Sequence, residues 1–183
     1  GATDMRSHFK LIIALVAVVP YVALAGQIAS TSDESKESGK QRPRVELTDE
    51  ALAIHRAGLL IDGHNDLPWQ MRKKARLSFD RLDISQPQPE LHTDIERLKK
   101  GGVGAQFWSA YVPADTIRTQ DAAHQTLEQI DVIHRMIERY PDVFEMASTA
   151  DDIQRIHAKG KIASMIGVEA GHSIENSLGI LRT

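Results

Sequence analysis

Apolar residues recur along this chain in two patterns. Leu59–Ile61, Val103–Val112 and Lys161–Val168 are short, nearly continuous apolar runs. Such runs suit strands buried on both faces, as parallel sheets require. Between them apolar positions repeat at helical spacing. Thr48, with Asp49 and Glu50 behind it, opens a helix through Ala51, Leu52 and Ile54 that Gly58 stops. Thr93-x-x-Glu96 reads as a capping box for a helix turning Ile95 and Leu98 inward and ending at Gly101-Gly102. The longest predicted helix runs from Thr119 to Tyr140, with Ala123, Leu127, Ile130, Ile133, Met136 and Ile137 as its apolar stripe. Pro141 closes it. Thr149 caps a shorter helix through Ile153 and Ile156 to Gly160, and Ser173–Asn176 starts another. Strand and helix thus alternate three times, which predicts an α/β fold with a parallel sheet.

Three stretches break the pattern. Leu67–His92 contains Pro68, Pro87 and Pro89 and shows no clean period. It reads as a long loop, either the wall of a substrate cleft or a solvated excursion. Ser30–Arg44 is rich in Ser, Lys, Glu and Gln and reads as a disordered spacer, so the folded part should begin at Val45. Before it, Arg6 and Lys10 precede the apolar run Leu11–Ala25, and Ala23-Leu24-Ala25 fits a small-x-small cleavage site. That reads as a secretory signal peptide over residues 1–26, with an uncleaved membrane anchor as the rival. Either predicts export.

Candidate chemistry sits where strands end. After Leu59–Ile61 comes Asp62-Gly63-His64-Asn65-Asp66-Leu67-Pro68. Alternation along a strand turns His64 and Asp66 the same way. An imidazole beside a carboxylate suits a divalent metal such as zinc, or a hydrogen-bonded pair that ties down a loop. The third strand ends at Glu169-Ala170-Gly171-His172, a second carboxylate at a strand's mouth. His172, next to small residues, reads as a loop or helix-start residue. His124 and His134 do not share a helix face and read as surface residues. Gln106 and Ser109 read as interior hydrogen-bonding residues of the second strand. The C-terminal ends of strands carry the active sites of (β/α)8 barrels and of doubly wound sheets alike. No G-x-G-x-x-G follows the first strand, which weakens a nucleotide site.

Composition narrows the choice. The chain has 183 residues, room for one domain, and a net charge of -3, which argues against nucleic acid as the partner. It has no cysteine, so a metal must be held by nitrogen and oxygen, and disulfides and a thiol nucleophile are excluded.

Three segments together resemble the renal, or membrane, dipeptidase family: Asp62–Pro68, Gly104–Pro113 and Ile166–Ile174. The likeness runs in order from about Thr48 to Thr183. It implies a (β/α)8 TIM barrel of which residues 45–183 form about three βα units. It also implies a site with two zinc ions, Zn2+, hydrolysing a dipeptide substrate through a metal-bound hydroxide. His64 and Asp66 would be ligands of one zinc and Glu169 the catalytic carboxylate bridging both. Asp62 could orient His64 by a hydrogen bond, or satisfy loop backbone. Ala170 stands where the family commonly has glycine, which matters if the backbone there needs a positive φ.

The family's remaining zinc ligands and its proton-transfer acid come from later strands, so the chain reads as an N-terminal fragment. By itself it is expected to be marginal in stability and inactive. The alternatives are a single-metal barrel hydrolase of another class and a non-catalytic barrel relative.

Overall fold

The computed structural model describes residues 44–182. The chain divides into two units between Arg44 and Val45, and the unit from Val45 onward carries the sheet. The expected leader and spacer lie outside the described residues, Arg44 excepted. Among those residues no helix is long and apolar enough to cross a membrane.

Four parallel strands form one sheet: β1 (Leu60–Asn65), β2 (Val103–Ala110), β3 (Phe144–Met146) and β4 (Ile162–Val168), in the order β1-β2-β4-β3. The helices are α1 (Asp49–Ala57), α2 (Leu67–Ala75), α3 (Ile95–Lys100), α4 (Thr116–Thr119), α5 (Ala122–Arg139), α6 (Ala150–Ala158) and α7 (Leu178–Leu181). The α/β class and the helical crossovers stand as read from sequence, with one strand more than the three expected. β3 was missed because it is only three residues long, Phe144-Glu145-Met146, too short to show a period.

The two sheet faces are covered unequally. Trp108, Ala110 and Ile162 share the large core with Met71 of α2, Leu98 of α3 and Ile133 of α5. Trp108, fully buried, meets Phe144 edge-on at 5.6 Å, and its truncation to alanine should cost about 3–5 kcal/mol. On the other face Ala105, Ala163 and Met165 form a small cluster with Ile156 of α6. That helix covers only the N-terminal ends of the strands. Further along the same face Phe107 is 37 % exposed.

Several boundaries differ from expectation for local reasons. β1 extends beyond Ile61 to Asn65, because Asn65 still pairs with Trp108 across an irregular register. The segment expected as a loop from Leu67 begins with α2. Leu67, Met71 and Ala75 are buried at i, i+4 and i+8, and Pro68 occupies the first turn, where its missing N–H is harmless. The rest of it is no solvated excursion: Phe79, Leu82, Ile84 and Leu91 are buried. The cap of α3 is Asp94, not Thr93; its carboxylate accepts from the Arg97 N–H.

The long helix α5 is shorter than expected and rotated. Leu127 is exposed, while Thr126 and Gln129 are buried instead. Half of the buried Gln129 amide is satisfied: its Oε1 accepts from Arg72 Nε at 3.0 Å, while its Nε2 has no hydrogen-bond partner among the described residues.

Candidate metal centre

β1 and β4 flank β2, and their C-terminal ends lie at the same end of the sheet. His64, near the end of β1, places Nε2 3.3 Å from Asp66 Oδ1 and 3.4 Å from Glu169 Oε2. One ligand atom from each of the three lies within 4.8 Å of the others. The structure therefore brings together the three residues that sequence reasoning singled out. His64 and Asp66 are exposed and Glu169 is half-buried. The remaining named residues sit elsewhere. Asp62 Oδ1 accepts from the backbone N–H of His64 at 3.1 Å. His172 lies in a 3-10 turn, Gly171–Ile174, and its Nε2 donates to the Val112 carbonyl at 2.9 Å. His124 and His134 are exposed on α5.

Two scaffolds hold the cluster. At the β1 end, the residue between the two candidate ligands points inward. Asn65 Oδ1 accepts from Leu67 N–H at 3.0 Å and from Thr93 Oγ1 at 3.2 Å. Asn65 Nδ2 donates to Thr93 Oγ1 at 3.0 Å and to Gln106 Oε1 at 3.4 Å. Gln106, fully buried, donates in turn to the carbonyls of Asp62 and Phe107. Thr93 itself adjoins Asp94, which is 3 % exposed. Burial alone would raise the Asp94 pKa. The N–H groups of Gln88 and Arg97 and the Arg97 guanidinium outweigh that and hold it below the usual carboxylate range. Arg97 also donates to the carbonyls of Leu91 and Gln88, fixing the segment that precedes α3. A cavity of about 510 Å³ lies between this segment and the cluster, lined by His64, Asp66, Glu90 and His92.

At the β4 end, Ser109 Oγ donates to Glu169 Oε2 at 2.8 Å, and Ser173 Oγ donates to the Glu169 carbonyl at 2.9 Å. Ala170 follows with φ 71 and ψ 138, a conformation that favours glycine. Glu175 Oε1 accepts from the Ala123 N–H in the first turn of α5.

Sequence reading took Ser109 as an interior hydrogen-bonding residue and gave Asn65 no role. For Ser109 the available signal was a hydroxyl at the mouth of a buried strand. For Asn65 it was a side chain two residues before a backbone N–H that opens a helix.

The model of the membrane dipeptidase family, peptidase family M19, matches residues 48–183. The dipeptidase ataJ of Aspergillus terreus is 46 % identical over 130 residues, which cover 67 % of this chain and 32 % of that protein. Dipeptidase 3 of Mus musculus is 42 % identical over 137 residues, 75 % of this chain and 27 % of the relative. The chain thus spans about a third of the length of the curated relatives it matches. Among solved structures, a dipeptidase described as a family M19 metallopeptidase superposes with a TM-score of 0.53 at 25 % identity, over 63 % of this chain and 36 % of that one. A metallopeptidase from Rhodobacter sphaeroides bearing a phosphinate mimic of L-Ala-D-Ala shares the fold, with a TM-score of 0.52 at 20 % identity over 63 % of this chain and 39 % of that one. By its match from Thr48 onward, and by relatives above forty per cent identity, the chain belongs to the membrane dipeptidase family of metallopeptidases, M19.

Proposed function

We propose that the full-length protein is a zinc-dependent dipeptidase whose centre is built on His64, Asp66 and Glu169. The observation that carries this is the convergence of one imidazole and two carboxylates within 4.8 Å at the open end of the sheet. The donor set fits the ion. All three donors are nitrogen or oxygen, as a chain without cysteine requires, and two are anionic. Carboxylates brought this close repel unless a cation joins them. When bound, a pair of divalent ions supplies Lewis-acid polarisation of a carbonyl and activation of water near neutral pH.

The chain's own residues have distinct tasks. His64 offers a neutral nitrogen, so it adds affinity without further negative charge. Asp66 adds a carboxylate from the first turn before α2. Glu169 has two oxygens with about four lone-pair sites, enough to accept from Ser109 and still face two ions. Asn65 and Gln106 keep the β1 end rigid, so the donors need not reorganise on binding.

Other features of the protein fit the same reading. The apolar stretch Leu11–Ala25 supports export, with membrane association if it is retained. We assign residues 1–26 to that leader, 27–44 to a spacer and 45–183 to the partial barrel. Among the described residues the clustered donors include one histidine, so these residues on their own are expected to be inactive.

The test is dipeptide hydrolysis by the full-length protein, with metal content measured alongside. Chelation should abolish hydrolysis and Zn2+ should restore it. His64→Ala and Glu169→Ala should each lower kcat/KM at least ~1000-fold, since each removes a donor from the reacting centre. Retained activity in either variant removes that residue from the site. One zinc per chain rather than two would favour the single-metal hydrolase.

A further inference from the structure

We infer that Ser109 is a positioning residue for Glu169: its buried hydroxyl fixes the carboxylate before any ion arrives. This rests on the assignment of Glu169 as a metal ligand.

The placement follows from the sheet register. Ser109 of β2 pairs with Gly167 of β4. Glu169 comes two residues later, so its side chain lies on the same face. The Glu169 N–H still reaches the Ala110 carbonyl, at 3.4 Å, which carries the ladder one residue past the strand. Ser109 is 3 % exposed, so its hydroxyl has little water to turn to. It meets Glu169 Oε2 at 2.8 Å, and with an ionised carboxylate the serine must be the donor. Among the described residues no other hydroxyl is hydrogen-bonded to a side chain of the three-residue cluster; Ser173 reaches only the Glu169 carbonyl.

The chemistry explains why such a tether matters here. Glutamate has three rotatable side-chain bonds, and ordering it costs rotamer entropy. The Glu169 side chain is 40 % exposed, so packing alone does not select its rotamer. Ser109 supplies the selection from the sheet side, and Ser173, 1 % exposed, fixes the backbone carbonyl of the same residue. Glu169 is thus held at both ends by buried serines. A hydrogen bond to Oε2 uses one lone pair and leaves the rest of the carboxylate free. Partners that hold a ligand in this way commonly change metal affinity about 10–100-fold when removed.

The test is Zn2+ affinity of the full-length protein by competition with a chromophoric chelator, measured beside the unfolding midpoint of the metal-free form. Ser109→Ala should weaken Zn2+ binding about 10–100-fold while the metal-free midpoint stays near that of the parent. Ser109→Thr keeps a hydroxyl at a strand position and should stay within about threefold of the parent. Glu169→Gln is the control for the underlying reading. In the Ser109→Ala/Glu169→Gln double variant the serine should have no further effect, because its target is already altered. Parental affinity in Ser109→Ala, with Glu169→Gln weakened, overturns the positioning role alone. Equal losses in Ser109→Ala and Ser109→Thr also overturn it. Parental affinity in Glu169→Gln instead overturns the assignment of Glu169 as a ligand.

Discussion

The two strand ends that meet at the cluster are held in different ways. Past β1 the chain turns directly into α2, and the turn is tied from inside by the Asn65 amide, Thr93 and Gln106. The backbone there is ordinary: no residue from Leu60 to Ala75 has a positive φ. Past β4 no helix follows at once. Ala170, Glu175 and Asn176 all take positive φ, and the loop is held by Ser109 of β2 on the Glu169 carboxylate, by His172 reaching the Val112 carbonyl, by Glu175 reaching α5, and by Ser173 bonding back to the Glu169 carbonyl. One end is stable because its backbone is relaxed. The other keeps a costly conformation because several separate contacts over-determine it. A ligand can be fixed by either route, but the second is expected to be more sensitive to its tethers and easier to improve.

Substitutions should separate the two routes. The largest effect belongs to Asn65→Ala. It removes the bond to Leu67 N–H and strands Thr93 and Gln106, so it should cost about 3 kcal/mol in denaturant unfolding. A cost below ~1 kcal/mol would mean that the β1 end is held by something other than this amide. Asp94→Asn, one step behind the same end, should cost about 2 kcal/mol at neutral pH. Its pH dependence has a definite sign. The folded-state pKa of Asp94 is lowered. Its contribution is therefore present above the unfolded-state value of about 3.9 and is lost as pH falls through the folded one. The gap between parent and variant should close below about pH 4. A gap that widens on acidification contradicts the assignment.

At the β4 end the expected effects are smaller and differ in sign. Glu175→Ala removes the carboxylate at the first turn of α5 and should cost about 1 kcal/mol, less at high salt. Ala170→Gly should stabilise by about 1 kcal/mol, because relief of strain exceeds the entropy glycine adds to the unfolded chain. If Ala170→Gly destabilises instead, the contrast between a relaxed and a strained end is lost.

Much of this was legible in the sequence, and the parts that were not share a cause. The alternation of apolar runs and helical stripes predicted the parallel sheet, and an acid or histidine at the end of a buried run pointed to the cluster. α2 was hidden because its buried residues are spaced four apart among Arg72, Lys73 and Lys74, and three prolines nearby suggested a loop. The rotation of α5 was hidden because burial of Gln129 depends on Arg72, fifty-seven residues away. Thr93 looked like a cap because the Thr-x-x-Glu pattern is local, whereas its real partner is Asn65 across the site. Sequence periodicity reports what one segment can bury by itself. It is silent on polar groups that become acceptable only when a distant partner arrives. The backbone of Ala170 is a partial case: an alanine by itself gives no sign of a positive φ, and only the family's usual glycine at that position raised the question that φ 71 answers.

The central claim is that the ends of β1 and β4 hold metal between them. Anomalous diffraction from crystals of the full-length protein grown with Zn2+ tests it most directly. A peak is expected about 2.0–2.2 Å from His64 nitrogen and from oxygens of Asp66 and Glu169. A second peak should lie about 3.5–4 Å from the first and share Glu169. Zinc bound elsewhere, with no density among these three side chains, would contradict it.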